Sequence, residues 1–262
     1  MALDLEALLK TKGWDEMNVV QQVKPRPFAW SYSKLKNYET CARRYSEVEL
    51  KKSVQEAKSD ELARGDALHE AMKSRVGSDK TLPPEFIYME SWAKKLTKEL
   101  SPFQIIQCEL KLAVDKQGRP VGFFDRDVWL RGRIDYLRII PVMGSDGRAT
   151  HDIGHLVDYK TGKPKEDWTQ LMLQAHLVFC HYHNLQEMRT EFLWTEYSDT
   201  MHENFKRFDM DQAISGITPR VIKLEQAHKT GVFEPNPCGL CRDYCPVVSC
   251  EYHGKSHRRV SQ

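Results

Sequence analysis

The sequence contains no apolar run long enough to span a bilayer, no internal repeat and no low-complexity segment. Its opening residues, Met-Ala-Leu-Asp-Leu-Glu, lack the basic and apolar regions of a secretory leader. These absences weigh against a membrane-spanning or exported chain and predict a cytoplasmic protein. An excess of charge of either sign is also missing, because 39 Lys and Arg face 37 Asp and Glu, leaving a formal charge of +2. A polyanionic partner would have to meet a local basic surface. What is present is 262 residues, 40% of them hydrophobic, enough for one large domain or a domain with a small appendage without covalent staples.

Seven cysteines form an odd set. Cys108 and Cys180 sit in apolar stretches and read as core residues. Cys238, Cys241, Cys245 and Cys250 crowd into the C-terminal end, and in a reducing compartment such crowding argues for metal rather than disulfides. Cys41 stands apart, on a short helix expected over residues 34–45 with Ser33 as its cap.

Residues 1–27 read as a loosely attached arm. A helical pattern over residues 54–75 carries an apolar stripe of Leu62, Leu68 and Met72, with Gly65 permitting a close approach and His69 one turn beyond it. Another helix follows Pro83-Pro84. Strand patterns then cover residues 105–114, 121–130 and 133–140, a buried helix residues 168–182, two closing strands residues 190–196 and 204–208, and a long helix residues 210–229. This order predicts an α/β fold with a mixed central sheet flanked by helices.

The segment from His155 to Gly162 reads His-Leu-Val-Asp-Tyr-Lys-Thr-Gly. On a strand, Asp158 and Lys160 share one face while Tyr159 points away. His69, Asp135 and Asp158 offer nitrogen and oxygen ligands suited to Mg²⁺ or Mn²⁺. Such a metal with Lys160 would supply what phosphodiester cleavage needs, charge neutralisation and an activated water. Glu109 is a further acidic candidate. Arg43, Arg44, Tyr45, Arg131, Arg133 and the terminal His257, Arg258 and Arg259 offer basic and aromatic groups for a nucleic-acid path.

Three motifs, Gly65-Asp-Ala-Leu-His69, Gly132-Arg-Ile-Asp135 and Asp158-Tyr-Lys160-Thr-Gly162, stand in the order found in the PD-(D/E)XK nuclease superfamily, and the sequence resembles its RecB-type branch. The resemblance implies a restriction-endonuclease-like core in which His69, Asp135 and Asp158 hold the metal, with the Tyr159 carbonyl as a further ligand. It implies that Lys160 orients or deprotonates the attacking water. The following helix usually carries Gln-x-x-x-Tyr in this family; here Gln170 is kept and Gln174 replaces the tyrosine. That departure argues for Gln170 and against Gln174 as a site residue.

Iron–sulfur members of the branch include CRISPR-associated adaptation nucleases, the AddB subunit of bacterial recombination nucleases and phage exonuclease-like proteins. They place one cysteine before the core and three after it. The resemblance thus implies a 4Fe-4S cluster on Cys41, Cys241, Cys245 and Cys250, with Cys238 as an alternative ligand. Zinc is the other candidate, with His253 able to replace one thiolate. The expected organisation is an arm (1–27), a helical part (28–104), a nuclease core (105–230) and a cysteine-rich clamp (231–262), with 28–262 as one folding unit. The expected activity is metal-dependent DNA hydrolysis by an exonuclease acting on single strands or duplex ends in recombination, repair or phage DNA metabolism, in the cytoplasm of a cell or phage-infected cell. The alternatives are a non-catalytic DNA-binding subunit of the same fold and a zinc-stabilised interaction module.

Overall fold

The computed structural model describes residues 28–56, 59–98 and 103–255. The expected N-terminal arm and His257, Arg258 and Arg259 lie outside them. Helices α1 (Tyr32–Thr40), α2 (Ala42–Tyr45), α3 (Asp60–Ser78) and α4 (Glu90–Thr97) come before the strands. Strands β1 (Ile105–Val114), β2 (Pro120–Val121), β3 (Leu130–Met143) and β4 (Ala149–Lys160) follow, then α5 (Thr169–His181), β5 (Leu185–Trp194), β6 (Asp199–Lys206), α6 (Met210–Thr230) and α7 (Leu240–Asp243). The six strands form one sheet in the order β2-β1-β3-β4-β5-β6. Neighbours are antiparallel except β4 and β5, whose parallel pairing requires a crossover that α5 provides. This is the expected α/β architecture, a mixed sheet flanked by helices with a helical N-terminal part. Among the described residues, no helix is long and apolar enough to cross a membrane.

Alternation along the strands feeds two apolar cores. On one face Leu112, Ile134, Leu156 and Phe192 pack with Leu171, Leu177 and Val178 of α5 and Val221 and Leu224 of α6, joined by Trp30, Leu35 and Tyr45. On the other face Tyr136, Val157, Tyr159 and Leu193 meet Leu68 and Met72 of α3, with Phe86, Met89 and Leu96 beside them. Tyr45, expected on a nucleic-acid path, is instead a core residue whose hydroxyl lies 2.9 Å from His228 Nε2.

Local chemistry moved several boundaries. The cap of α1 is Ser31, not Ser33; its hydroxyl accepts from Lys34 N at 3.4 Å. Cys41 lies in extended backbone between α1 and α2 rather than within one helix. Helix α3 begins after the Ser59 cap, later than the pattern suggested, and Leu62 is 57% exposed while Leu68, Met72 and Val76 carry the burial. Residues 122–129 form no strand, β2 ending at Val121 and β3 beginning at Leu130. Asp125 N donates to Gly122 O at 2.9 Å and Asp125 Oδ2 accepts from Gly122 N at 2.7 Å, which closes a β-turn. Strand β3 is longer than expected at both ends, so its connection to β4 is a short hairpin loop at 144–148.

The motif glycines have different reasons to be there. A Cβ on residue 132 would come within 2.8 Å of Leu177 Cδ1, so Gly132 lets α5 lie close over β3. Gly65 does not face a tight approach, since the nearest atom to a Cβ there is Thr161 Oγ1 at 3.5 Å, an ordinary contact. Gly132→Ala should therefore destabilise the fold by about 1 kcal/mol through overpacking. Gly65→Ala, inside α3 with room for the methyl, should stabilise it by up to about 1 kcal/mol. Denaturant unfolding of the two variants reads both signs.

Candidate active site

Three elements bring ionisable groups together at the carboxyl end of β4. Helix α3 buries Leu68 and Met72, and this packing sets His69 at the sheet edge, where its ring meets Tyr159 edge-on at 5.7 Å between centroids. His69 Nδ1 lies 3.2 Å from Asp135 Oδ1 and 3.3 Å from Glu109 Oε1. Asp135 is held from behind, because its Oδ2 accepts from Tyr159 N at 2.9 Å. Tyr159 thus enters the site through its backbone, while its side chain is buried in the core beyond.

Glu109 sits within β1, not at its end, in the left-handed region at φ 54°. Register pairs Cys108 with Tyr136 and Leu110 with Ile134, so Glu109 and Asp135 stand opposite each other between them. A non-glycine residue there costs on the order of 1 kcal/mol or more, and such strain often accompanies a functional side chain. Here it turns the Glu109 carboxylate toward His69, with Arg133 Nη1 at 3.2 Å from its other oxygen. His69, Glu109 and Asp135 offer three ligand atoms all within 4.8 Å of one another.

Asp158 and Lys160 share a face of β4 as alternation requires, with Lys160 Nζ 2.5 Å from Asp158 Oδ2. Helix α5 lies over them. Gln170 Nε2 donates to Asp158 Oδ1 at 2.6 Å, and Lys160 Nζ donates to Gln170 Oε1 at 2.8 Å, closing a ring of three side chains. Gln174, one turn on, donates from Nε2 to Asp158 Oδ1 at 2.8 Å and to Arg133 O at 3.0 Å. Gln174 thus touches Asp158 directly, although the missing tyrosine argued against it. The signal for it was the spacing of four residues from Gln170, which puts both amides on one helix face. The start of α5 is anchored by Asp167, which accepts from Thr169 N, Tyr32 OH and Lys36 Nζ. Burial opposes its charge, but these donors hold its carboxyl well below the usual range.

Two cavities meet at this cluster. One, of about 340 Å³, is lined by Asp158, Lys160, Gln170 and Gln174 with Arg131 and Phe123. The other, of about 310 Å³, is lined by Glu61, Asp66, Glu70 and Thr161. His69, Arg133 and Asp135 border both. The charges of the two sides are opposite, basic around the first and acidic around the second.

Asp135 and Asp158 are only 5% and 3% exposed. Burial, and then the charge of Asp158, push the Asp135 carboxyl up to about 6. Burial disfavours a charged His69, yet hydrogen bonds to Asp135 and Glu109 outweigh it and raise the imidazole to about 10. Burial likewise opposes charge on Glu109, but His69 and Arg133 hold its carboxyl below the ordinary value. His69 Nδ1 thus faces both carboxylates across the gap that a divalent cation would fill. Asp158 Oδ2, buried and ion-paired with Lys160 Nζ at 2.5 Å, is a further hard oxygen beside them. The hard oxygen and imidazole donor set fits Mg²⁺ or Mn²⁺.

At the other end of the molecule Cys41, Cys241, Cys245 and Cys250 line one small pocket with His253. Cys238 is not among its lining residues; it is buried nearby and its N–H donates to Cys241 Sγ at 3.3 Å. Asn236 joins the tail to α1, its N–H donating to Cys41 Sγ at 3.4 Å and its amide to the Glu39 and Thr40 carbonyls. Burial, and then the neighbouring Cys41 and Cys250, push the Cys245 thiol up.

A family model described as the PD-(D/E)XK nuclease superfamily matches residues 29–250. The chain belongs to that superfamily. The crystal structure of a candidate exonuclease from Eubacterium rectale is similar at a TM-score of 0.49 and 14% identity, over 94% of this chain and 92% of that one. The crystal structure of SSO0001 is similar at a TM-score of 0.38 and 12% identity, over 85% of each. Likeness at these values carries no argument about activity. No curated protein matches the sequence. PD-(D/E)XK nucleases use divalent metals, and the His69, Glu109 and Asp135 group is a candidate site for one.

A metal-ligating histidine must be neutral, whereas free His69 keeps its proton up to about pH 10. Mn²⁺ binding near neutral pH should therefore release about one proton, and apparent affinity should rise with pH until the imidazole is neutral. Calorimetry in buffers of different ionisation enthalpy counts that proton. His69→Gln should release none.

Proposed function

We propose that this PD-(D/E)XK protein is a divalent-metal-dependent deoxyribonuclease of the RecB-type branch, hydrolysing phosphodiesters as an exonuclease on single strands or duplex ends. The observation that carries this reading is the meeting, at the carboxyl end of β4, of the His69, Glu109 and Asp135 group with the Asp158 and Lys160 pair, which shares a cavity wall with His69 and Asp135. His69, Glu109, Asp135 and Asp158 would hold Mg²⁺ or Mn²⁺, with the Tyr159 backbone beside them. The ion supplies charge neutralisation at the scissile phosphate and activation of water.

The side chains divide the remaining work. Lys160, tied to Asp158 and Gln170, presents a cationic donor that orients the attacking water or meets the phosphate. Gln170 positions Lys160, and Gln174 positions Asp158. Arg131 and Arg133 flank the cavity where a DNA backbone would approach. This activity suits recombination, repair or phage DNA metabolism in the cytoplasm of a cell or phage-infected cell. Asp158→Ala and Lys160→Ala should each slow degradation of end-labelled DNA with Mn²⁺ by about a hundredfold or more. Parental rates in both variants would contradict the site. DNA binding by the parent without turnover would support a non-catalytic DNA-binding subunit instead.

We further propose a 4Fe-4S cluster on Cys41, Cys241, Cys245 and Cys250, in a structural role that ties α1 to the tail. What supports it is the pocket those four thiols share across the chain ends, with Cys238 as a neighbour rather than a ligand. Zinc on the same thiols is the alternative that metal analysis separates from the cluster. Protein purified without oxygen should carry about four irons and four acid-labile sulfides per chain, and Cys41→Ser should lose them. Zinc in the parent, or iron retained by the Cys41 variant, would contradict the assignment.

A further inference from the structure

The turn between β2 and β3 has a composition that turn geometry does not explain. Its ends are Gly122 and Asp125, and the Asp125 carboxylate lies so close to Gly122 that a Cβ there would meet it at 2.7 Å. Its two central positions are Phe123 and Phe124, whereas exposed turns ordinarily place Gly, Pro, Asn, Asp or Ser there. The rings meet edge to face at 5.1 Å between centroids, and Phe124 is 79% exposed. Burial therefore does not account for Phe124.

Two cations lie beside the rings. Lys111 Nζ lies 5.9 Å from each ring centroid, and the Arg131 guanidinium lies 5.3 Å from that of Phe123. Phe123 and Arg131 also line the cavity that holds Asp158 and Lys160. A rigid aromatic pair beside two cations, continuous with the reaction cavity, matches the two needs of single-stranded DNA, a face for the base and positive charge for the phosphate.

We infer that Phe123 and Phe124 form a stacking platform for a nucleobase of single-stranded DNA, with Lys111 and Arg131 holding the adjoining phosphates, so that the strand is led over the basic rim to the metal site. This rests on the nuclease reading. The acidic lining of the opposite cavity would disfavour the same backbone there, which makes the basic rim the side of strand entry.

The test is steady-state cleavage of a single-stranded oligonucleotide with Mn²⁺, using intact DNA and DNA with a run of abasic sites. Phe124→Ala should raise KM for intact DNA roughly tenfold with little change in kcat, and Phe124→Trp should keep the parental value. On abasic DNA the parent should show the raised KM and Phe124→Ala no further loss, a coupling that a merely structural residue would not produce. Parental KM in Phe124→Ala, or an equal loss on both substrates, overturns the platform and leaves the nuclease reading intact. A parent that cuts neither substrate overturns the nuclease reading itself.

Discussion

Two carboxylates buried in the wall of one cavity, Asp135 and Asp158, set the problem that the rest of the structure answers. Burying such charge costs several kcal/mol per ion unless each oxygen is paired or hydrogen-bonded. The answers come from different elements: Tyr159 N from β4, His69 from α3, Gln170 and Gln174 from α5, and Lys160 from the end of β4. Asp158 Oδ2 is neutralised by Lys160 Nζ at 2.5 Å. Each oxygen of the two carboxylates is thus matched by a cation or a hydrogen-bond donor.

Seen from that constraint, the fold is a means of bringing three distant segments together. The second core presses α3 onto the back of the sheet and delivers His69; the first presses α5 onto the front and delivers both glutamines. Gly132 allows the second approach. Helix α1 is fastened to α6 and to the segment after it. Arg220 makes two hydrogen bonds to Glu39, at 2.6 and 2.7 Å, and Asn236 seals the tail against α1 beside the cysteine pocket. Metal held there would stiffen the support of α1, whose Tyr32 in turn holds Asp167 at the start of α5.

The parts legible from sequence were those with a strong local rule. Period-two patterning placed β1, and strand alternation put Asp158 and Lys160 on one face of the segment that forms the end of β4. Ordered motifs linked His69, Asp135 and Asp158 before any contact was seen. The less legible parts depended on tertiary context. Nothing in residues 105–114 signals that Glu109 adopts a left-handed backbone, so its carboxylate remained a minor candidate until β3 was placed opposite. Gln174 was discounted because one expected side chain was absent, although its helical spacing from Gln170 already put it at Asp158. The aromatic run at Phe123 and Phe124 imitated a strand, while the turn was written in Gly122 and Asp125, two residues whose mutual hydrogen bonds outweigh strand preference.

The central expectation is that a divalent ion binds between His69 and these carboxylates. Anomalous diffraction from crystals of the full chain soaked in Mn²⁺ measures this directly. The predicted result is a manganese peak bonded to His69 Nδ1, Glu109, Asp135 and Asp158. Manganese bound elsewhere, with His69 still hydrogen-bonded to Asp135 and Glu109, would contradict it.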